Sequence, residues 1–302
     1  MDKLIKSLIK VDDFSLTEFK ENKNNDLNFN KYYILDFDES GEYFQDEFLH
    51  EISQYITDYV FTHDEIKKYS SGKTRKEMRR YEEKYREIIQ LYVRDSRTGE
   101  IGELILFLIL EKFLQAPQLV NYMTTSKLSG KEYSKGFDNI HFGLINDNLV
   151  FYIGESKSYK NGTKGLRDAF KSIKEILDER QVENFRYIAQ NNIFKREIHN
   201  KEFENLIVKY FNPNRKAKDR KLAKEIYTIF VAFEFDKIEE IIQNGKLQEE
   251  YEKRIKNIEK NLKNYKEEFD LVGKNFVLII LPIKKIQKLR DDFVKLLGCG
   301  KC

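Results

Sequence analysis

The sequence predicts an α/β protein in which a mixed central sheet is flanked by helices, preceded by a mainly helical N-terminal region. Three observations carry that prediction. The runs Leu149–Lys157, Ile226–Phe235 and Asn275–Ile283 are short and rich in β-branched and aromatic residues, as buried strands are. Between them lie segments with apolar residues at helical spacing, the clearest being Leu166, Ala169, Phe170, Ile173, Ile176 and Leu177. The stretch LILFLILEKFL, which ends before Pro117, reads as a helix apolar on all sides and belongs in the middle of a structure.

In chain order, residues 1–45 are polar, with one apolar patch, Tyr32–Phe37, that suits a strand. Glu47–Phe61 places Phe48, Ile52, Tyr55, Ile56 and Tyr59 on one helical face. Thr62-His63-Asp64-Glu65 fits a capping box. Ser71-Gly72-Lys73-Thr74 has the look of a phosphate-binding loop, but position 67 is Lys and no apolar strand precedes it, so no nucleotide site is expected there. Thr74–Val93 is a charged helix of alternating sign, a solvated face or a phosphate-contacting one through Arg75, Lys76, Arg79, Arg80 and Arg86. The apolar helix follows with Glu100 and Glu103 in its first turn, then a first core strand over Leu119–Leu128 and a hairpin described below. Asn161-Gly162-Thr163 is a turn and N-cap, and residues 183–211 read as further helix. After the strand Ile226–Phe235 a long charged helix, about Gln248–Phe269, departs from the core and offers an arm for a partner. Asn275–Ile283 is the last strand and Ile286–Leu297 the last helix, stopped by Gly298. This divides the chain into a region 1–95 and a domain 96–302 with a helical excursion at about 236–270.

Composition sets limits. The 302 residues are 40% hydrophobic, enough for one large core with an appendage or for two domains. A net charge of +3 neither demands nor excludes nucleic acid, so a nucleic-acid surface would have to be a local patch. The candidates are Lys164 and Arg167, at a helix N-terminus where cations oppose the dipole, and the basic run Lys209–Lys224 with Arg215, Lys216 and Arg220. No apolar run approaches the ~20 residues that span a bilayer, and the start of the chain is too charged for a secretory signal, so a cytoplasmic protein with no membrane partner is expected. The two cysteines, Cys299 and Cys302, read as a reduced tail, since no second pair or histidine cluster accompanies them.

The chemistry concentrates in Lys135–Lys160, two strands joined by a polar turn near Asn146-Asp147-Asn148. The first strand opens with Asp138 and the second closes with Glu155-Ser156-Lys157. An apolar strand that ends in an acid and a lysine needs partners for them, because a lone buried charge is costly. Alternation puts Glu155 and Lys157 on one face and Ser156 on the other. An even-numbered loop, Asp147-Asn148 or Asn146–Leu149, sets Asp138 opposite Lys157 and diagonal to Glu155; an odd loop turns Asp138 away. Two carboxylates so placed repel each other, and a hard divalent cation resolves the repulsion through carboxylate, carbonyl and water oxygens.

The pattern Asp-x16-Glu-x-Lys across a hairpin resembles the PD-(D/E)xK nuclease superfamily, whose restriction-endonuclease-like core has the element order α-β-β-β-α-β. That resemblance implies a Mg²⁺- or Mn²⁺-dependent DNA nuclease with Asp138, Glu155 and Lys157 catalytic. Asp138, Glu155 and the Ser156 carbonyl would bind the metal, and Glu103 would add a third carboxylate, as a helix glutamate does in many such nucleases. Phe137 stands where the superfamily has proline. Together GE before an apolar helix, then GFDNIH, then GESK, are similar to the DUF1837 family, which includes HamA, the nuclease subunit of the Hachiman anti-phage defence system. This closer resemblance implies DNA as substrate and a helicase subunit, HamB, as the partner that restrains the nuclease. The chain has no helicase motif, so any ATP-driven step falls to the partner and this chain is expected to bind no nucleotide. Two readings stand beside it: an inactive nuclease-like scaffold, and an RNA-cleaving enzyme on the same fold.

Overall fold

The fold was analysed in a computed structural model that describes residues 13–61, 71, 74–94, 100–121, 137–177, 201–212, 214, 219 and 221–298. Its centre is one seven-stranded mixed sheet in the order β1-β2-β7-β6-β5-β4-β3. The strands are β1 (Leu16–Asn25), β2 (Asn28–Leu35), β3 (Gln118–Asn121), β4 (Asn139–Ile145), β5 (Asn148–Tyr159), β6 (Lys224–Glu234) and β7 (Asn275–Ile283). The helices are α1 (Gln45–Ser53), α2 (Ile56–Val60), α3 (Arg75–Arg94), α4 (Glu100–Phe113), α5 (Gly162–Ile176), α6 (Lys201–Phe211), α7 (Ile238–Gln243), α8 (Leu247–Glu268) and α9 (Ile286–Gly298).

The middle of the sheet, β5, β6 and β7, is parallel and covered on both sides. This is why these strands read as near-continuous apolar runs: from Ile226 to Phe233 and from Phe276 to Ile283 every residue is buried. From α4 onward the element order is the one expected, helix, three strands, helix, further helix, strand, helical excursion, strand, helix. β3, β4 and β5 form an antiparallel meander, and β5 then pairs in parallel with β6. β3 is described as Gln118–Asn121, and the rest of the strand expected to Leu128 lies outside the described residues.

The N-terminal region departs from expectation. It holds the helices α1, α2 and α3 but a sheet element besides: β1 and β2 form an antiparallel hairpin, and β2 pairs in parallel with β7, so residues 16–35 extend the central sheet. β2 was foreshadowed by Tyr32–Phe37, whereas β1 gave no signal. Only Leu16 of that strand is buried, and an exposed edge strand made of Lys, Glu, Thr and Asn shows no apolar alternation. The segment Glu47–Phe61 is broken at Gln54-Tyr55 into α1 and α2.

α4 lies against the sheet with α1 and α2 beside it, and from Leu104 to Leu110 all its residues are buried. A Cβ on its Gly102 would sit 3.0 Å from Ser158 Oγ and 3.3 Å from Ser156 Oγ, so glycine is what lets the helix approach β5 this closely. α5 and α8 pack together on the other face, where Phe170 of α5 meets Phe276 of β7.

Candidate active site

The β4–β5 hairpin is closed by the two-residue turn Asn146-Asp147, both residues at positive φ of 49° and 59°. The ladder pairs Ile145 with Asn148 and Asn139 with Gly154. The turn is therefore even, as the favourable case requires, but it comes one residue earlier than Asp147-Asn148. Continued by one residue, this register faces Asp138 with Glu155 rather than with Lys157. The last ladder pair is Asn139–Gly154, and Asp138 stands just beyond it.

Asp138 N–H donates to the Gly154 carbonyl at 3.1 Å, and one Asp138 carboxylate oxygen accepts from Ser156 N–H at 2.6 Å. The N–H and C=O of an extended residue point to the same side of the strand. The Ser156 carbonyl is thereby directed toward the side where Asp138 stands, beyond the start of β4. Lys157 Nζ donates to Glu155 Oε1. The side chains of Ser156 and Ser158 face α4, while Glu155, Lys157 and Tyr159 project toward α5, where a Cβ on Gly165 would lie 3.3 Å from Tyr159.

Glu155 is 3% exposed, and its carboxyl is pushed up to about 8, first by burial and then by the neighbouring Asp138 charge. Lys157 and a hydrogen bond from Ser172 of α5 act in the opposite direction. For Lys157 burial disfavours the charged form, but the Glu155 and Asp138 carboxylates outweigh it and hold the ammonium above its ordinary range. Two carboxylates and one ammonium leave this buried corner one negative charge in excess when all three are ionised. The donor set fits a hard divalent cation: two carboxylates close enough to repel, with a backbone carbonyl directed to the same side.

The other sequence-predicted residues sit as follows. Glu103, half-buried, accepts a hydrogen bond from Tyr59 at 3.1 Å. It belongs to α4, the helix on the Ser156 face of β5, and among the described residues no three His, Cys, Asp or Glu side chains gather as a metal cluster. Lys164 is exposed at the start of α5, its Nζ 5.8 Å from the Tyr159 ring centre, and its N–H is capped by the Asn161 side chain at 3.0 Å. Arg167 is exposed, pairs with Glu268 and lies over Phe269. Arg215, Lys216 and Arg220 lie outside the described residues, as do Cys299 and Cys302.

Two contributors escaped the sequence reading. Ser172 holds Glu155 from α5; its place three residues after Ala169, on the edge of that helix's apolar stripe, was the available signal. Asn139 is 1% exposed and lies across Gly154, where an added Cβ would come 2.0 Å from Asn139 Oδ1. Nothing in the sequence marks that contact, since it exists only through the strand pairing.

Fold and site together define an α/β protein whose central strand ends in a buried acid–lysine pair, with a second acid from the adjoining strand beside it. A model of the HamA family matches residues 9–297, nearly the whole chain, and the chain belongs to that family, a component of the Hachiman defence system. No curated protein matches the chain.

Proposed function

We propose that the protein is a metal-dependent DNA nuclease with a PD-(D/E)xK core, acting as the effector of its defence system under the control of a helicase subunit. The single observation that carries this reading is the convergence of Asp138, Glu155 and Lys157 at the end of β5, with Glu155 pushed toward the neutral form by burial and by Asp138. A buried carboxylate held beside a second one is stabilised by a cation, and among the described residues Lys157 is the one ammonium that donates to Glu155. The element order from α4 to β6, and the parallel step from β5 to β6, also suit that core.

In this reading Asp138, Glu155 and the Ser156 carbonyl hold Mg²⁺ or Mn²⁺. Once bound, the cation supplies a Lewis acid for the phosphate and acidifies a water. Lys157, kept charged by its two carboxylate neighbours, orients the attacking water and steadies the negative charge that develops on the phosphate oxygens. Lys164, exposed at the start of α5 with its Nζ 5.8 Å from the Tyr159 ring centre, contacts the DNA backbone, as does Arg167, and the basic residues Arg215, Lys216 and Arg220, which lie outside the described residues, are proposed for the same role.

The test is nicking of supercoiled plasmid by the purified chain, alone and with its helicase partner, in Mg²⁺, in Ca²⁺ and in EDTA. Cleavage is expected in Mg²⁺ only, because Ca²⁺ binds with looser geometry. Glu155→Ala and Lys157→Ala should abolish it while the protein stays folded. Undiminished cleavage by both variants ends this reading. The same assay on RNA of equal length decides the substrate.

A further inference from the structure

On the β1–β2 side of the sheet, away from the β4–β5 hairpin, the β1–β2 hairpin, the C-terminal half of α8 and the start of β7 enclose a cleft of 480 Å³. That is the size of a small-molecule site, about 300–1,000 Å³. Its wall is built of side-chain amides. Asn22 and Asn30 each donate from Nδ2 to Glu259 Oε1, at 2.7 and 3.1 Å, and Tyr32 donates its phenol to the same oxygen. Asn28 donates to Asn275 at 3.2 Å and accepts from Phe276 N–H at 3.0 Å. The one acid in the wall is thus engaged by three donors.

Lys266 is the contrast. It is half-buried, and its ammonium rests 4.7 Å from the centre of the Phe276 ring. Among the described residues no carboxylate pairs with it. Burial lowers its hold on its proton. A partly dehydrated ammonium without a counter-ion is costly, and an anion in the cleft relieves that cost. Asn22 and Asn30 suit the rest of such a ligand: each spends one N–H on Glu259, and the carboxamide's second N–H and its Oδ1 offer a donor and an acceptor side by side, as the edge of a nucleobase does.

We propose that this cleft binds a nucleoside monophosphate unit, with its phosphate on Lys266 and its base edge on the asparagine amides. The unit is either a free nucleotide or the terminal nucleotide of a strand. The site does not depend on the nuclease reading, and it departs from the expectation that this chain binds no nucleotide.

The experiment is calorimetric titration of the full chain, in EDTA so that a metal site plays no part. The titrants are nucleoside 5′-monophosphates, inorganic phosphate and a 5′-phosphorylated dinucleotide. Saturable binding of a monophosphate, weaker binding of phosphate and at least tenfold weakening by Lys266→Met are expected. A dinucleotide that binds tighter than the monophosphate assigns the strand end, and the reverse order assigns the free nucleotide. No saturable heat at millimolar ligand, or equal affinity in Lys266→Met, overturns the proposal. Should that variant fold poorly, the NMR titration of the Lys266 ammonium in the wild-type chain replaces it. The nucleotide must raise its proton affinity, and an unmoved titration curve overturns the proposal equally.

Discussion

Glu155 illustrates how burial and a neighbouring carboxylate raise the proton affinity of one side chain. Its proton affinity in the folded protein is raised to about 8, against the ordinary carboxylate value of about 4.3. The folded state therefore holds a proton that the unfolded chain releases, and stability falls as pH rises through that window. Glu155→Gln, which has no charge to bury, should melt above the wild type in EDTA, with the difference growing from about pH 5 to pH 8 and levelling beyond. Calorimetry at several pH values checks this; a difference that shrinks with rising pH contradicts it. The same protonation competes with a cation, so Mn²⁺ affinity measured by titration should climb with pH up to about 8. Lys157→Ala removes the ammonium that donates to Glu155 and should abolish detectable nicking, a loss of at least about 10²–10³-fold at unchanged substrate binding, since its charge is needed only as charge develops.

Among the elements, the β4–β5 hairpin sets the geometry through one turn and one close contact. Asn146 and Asp147 both adopt the left-handed conformation that costs an L-residue about 1–2 kcal/mol. Asp147→Gly should stabilise the protein by about 1 kcal/mol in denaturant melts and leave cleavage unaltered, because the turn lies at the far end of the hairpin from Asp138. Gly154→Ala works in the opposite sense. Its Cβ would collide with Asn139 and press Leu106 of α4, so about 1–3 kcal/mol of stability should be lost, with Asn139→Ala in the same chain restoring part of it. The hairpin also shows what a sequence conveys. Alternation puts Glu155 and Lys157 on one face of β5, and β7 and α9 are legible almost to the residue from apolar pattern and a terminal glycine. The choice between Asn146-Asp147 and Asp147-Asn148 was not legible, because all three residues tolerate positive φ and both loops keep the parity. Ser172 and Asn139 were missed for a related reason, since each acquires its role only from an element packed against it.

For the whole molecule, the N-terminal hairpin matters most. A strand as polar as Leu16–Asn25 carries no pattern of its own, so the sheet's true width appears only when β2 is seen to pair with β7. The division at residue 95 therefore cuts through a single sheet. A chain starting at residue 96 would expose the edge of β7, whose residues 276–283 are all buried in the intact protein. Such a truncation should aggregate on expression, whereas a soluble, cooperatively melting fragment would contradict the continuity of the sheet. Among the described residues no helix is long and apolar enough to cross a membrane. The central claim is that a central strand and its neighbour deliver two carboxylates and a carbonyl to one cation. Anomalous diffraction from crystals soaked in Mn²⁺ tests it most directly. A peak about 2.1 Å from oxygens of Asp138 and Glu155, with the Ser156 carbonyl in its shell, is the predicted result. A map with no peak there, at a Mn²⁺ concentration that supports cleavage in solution, contradicts the account.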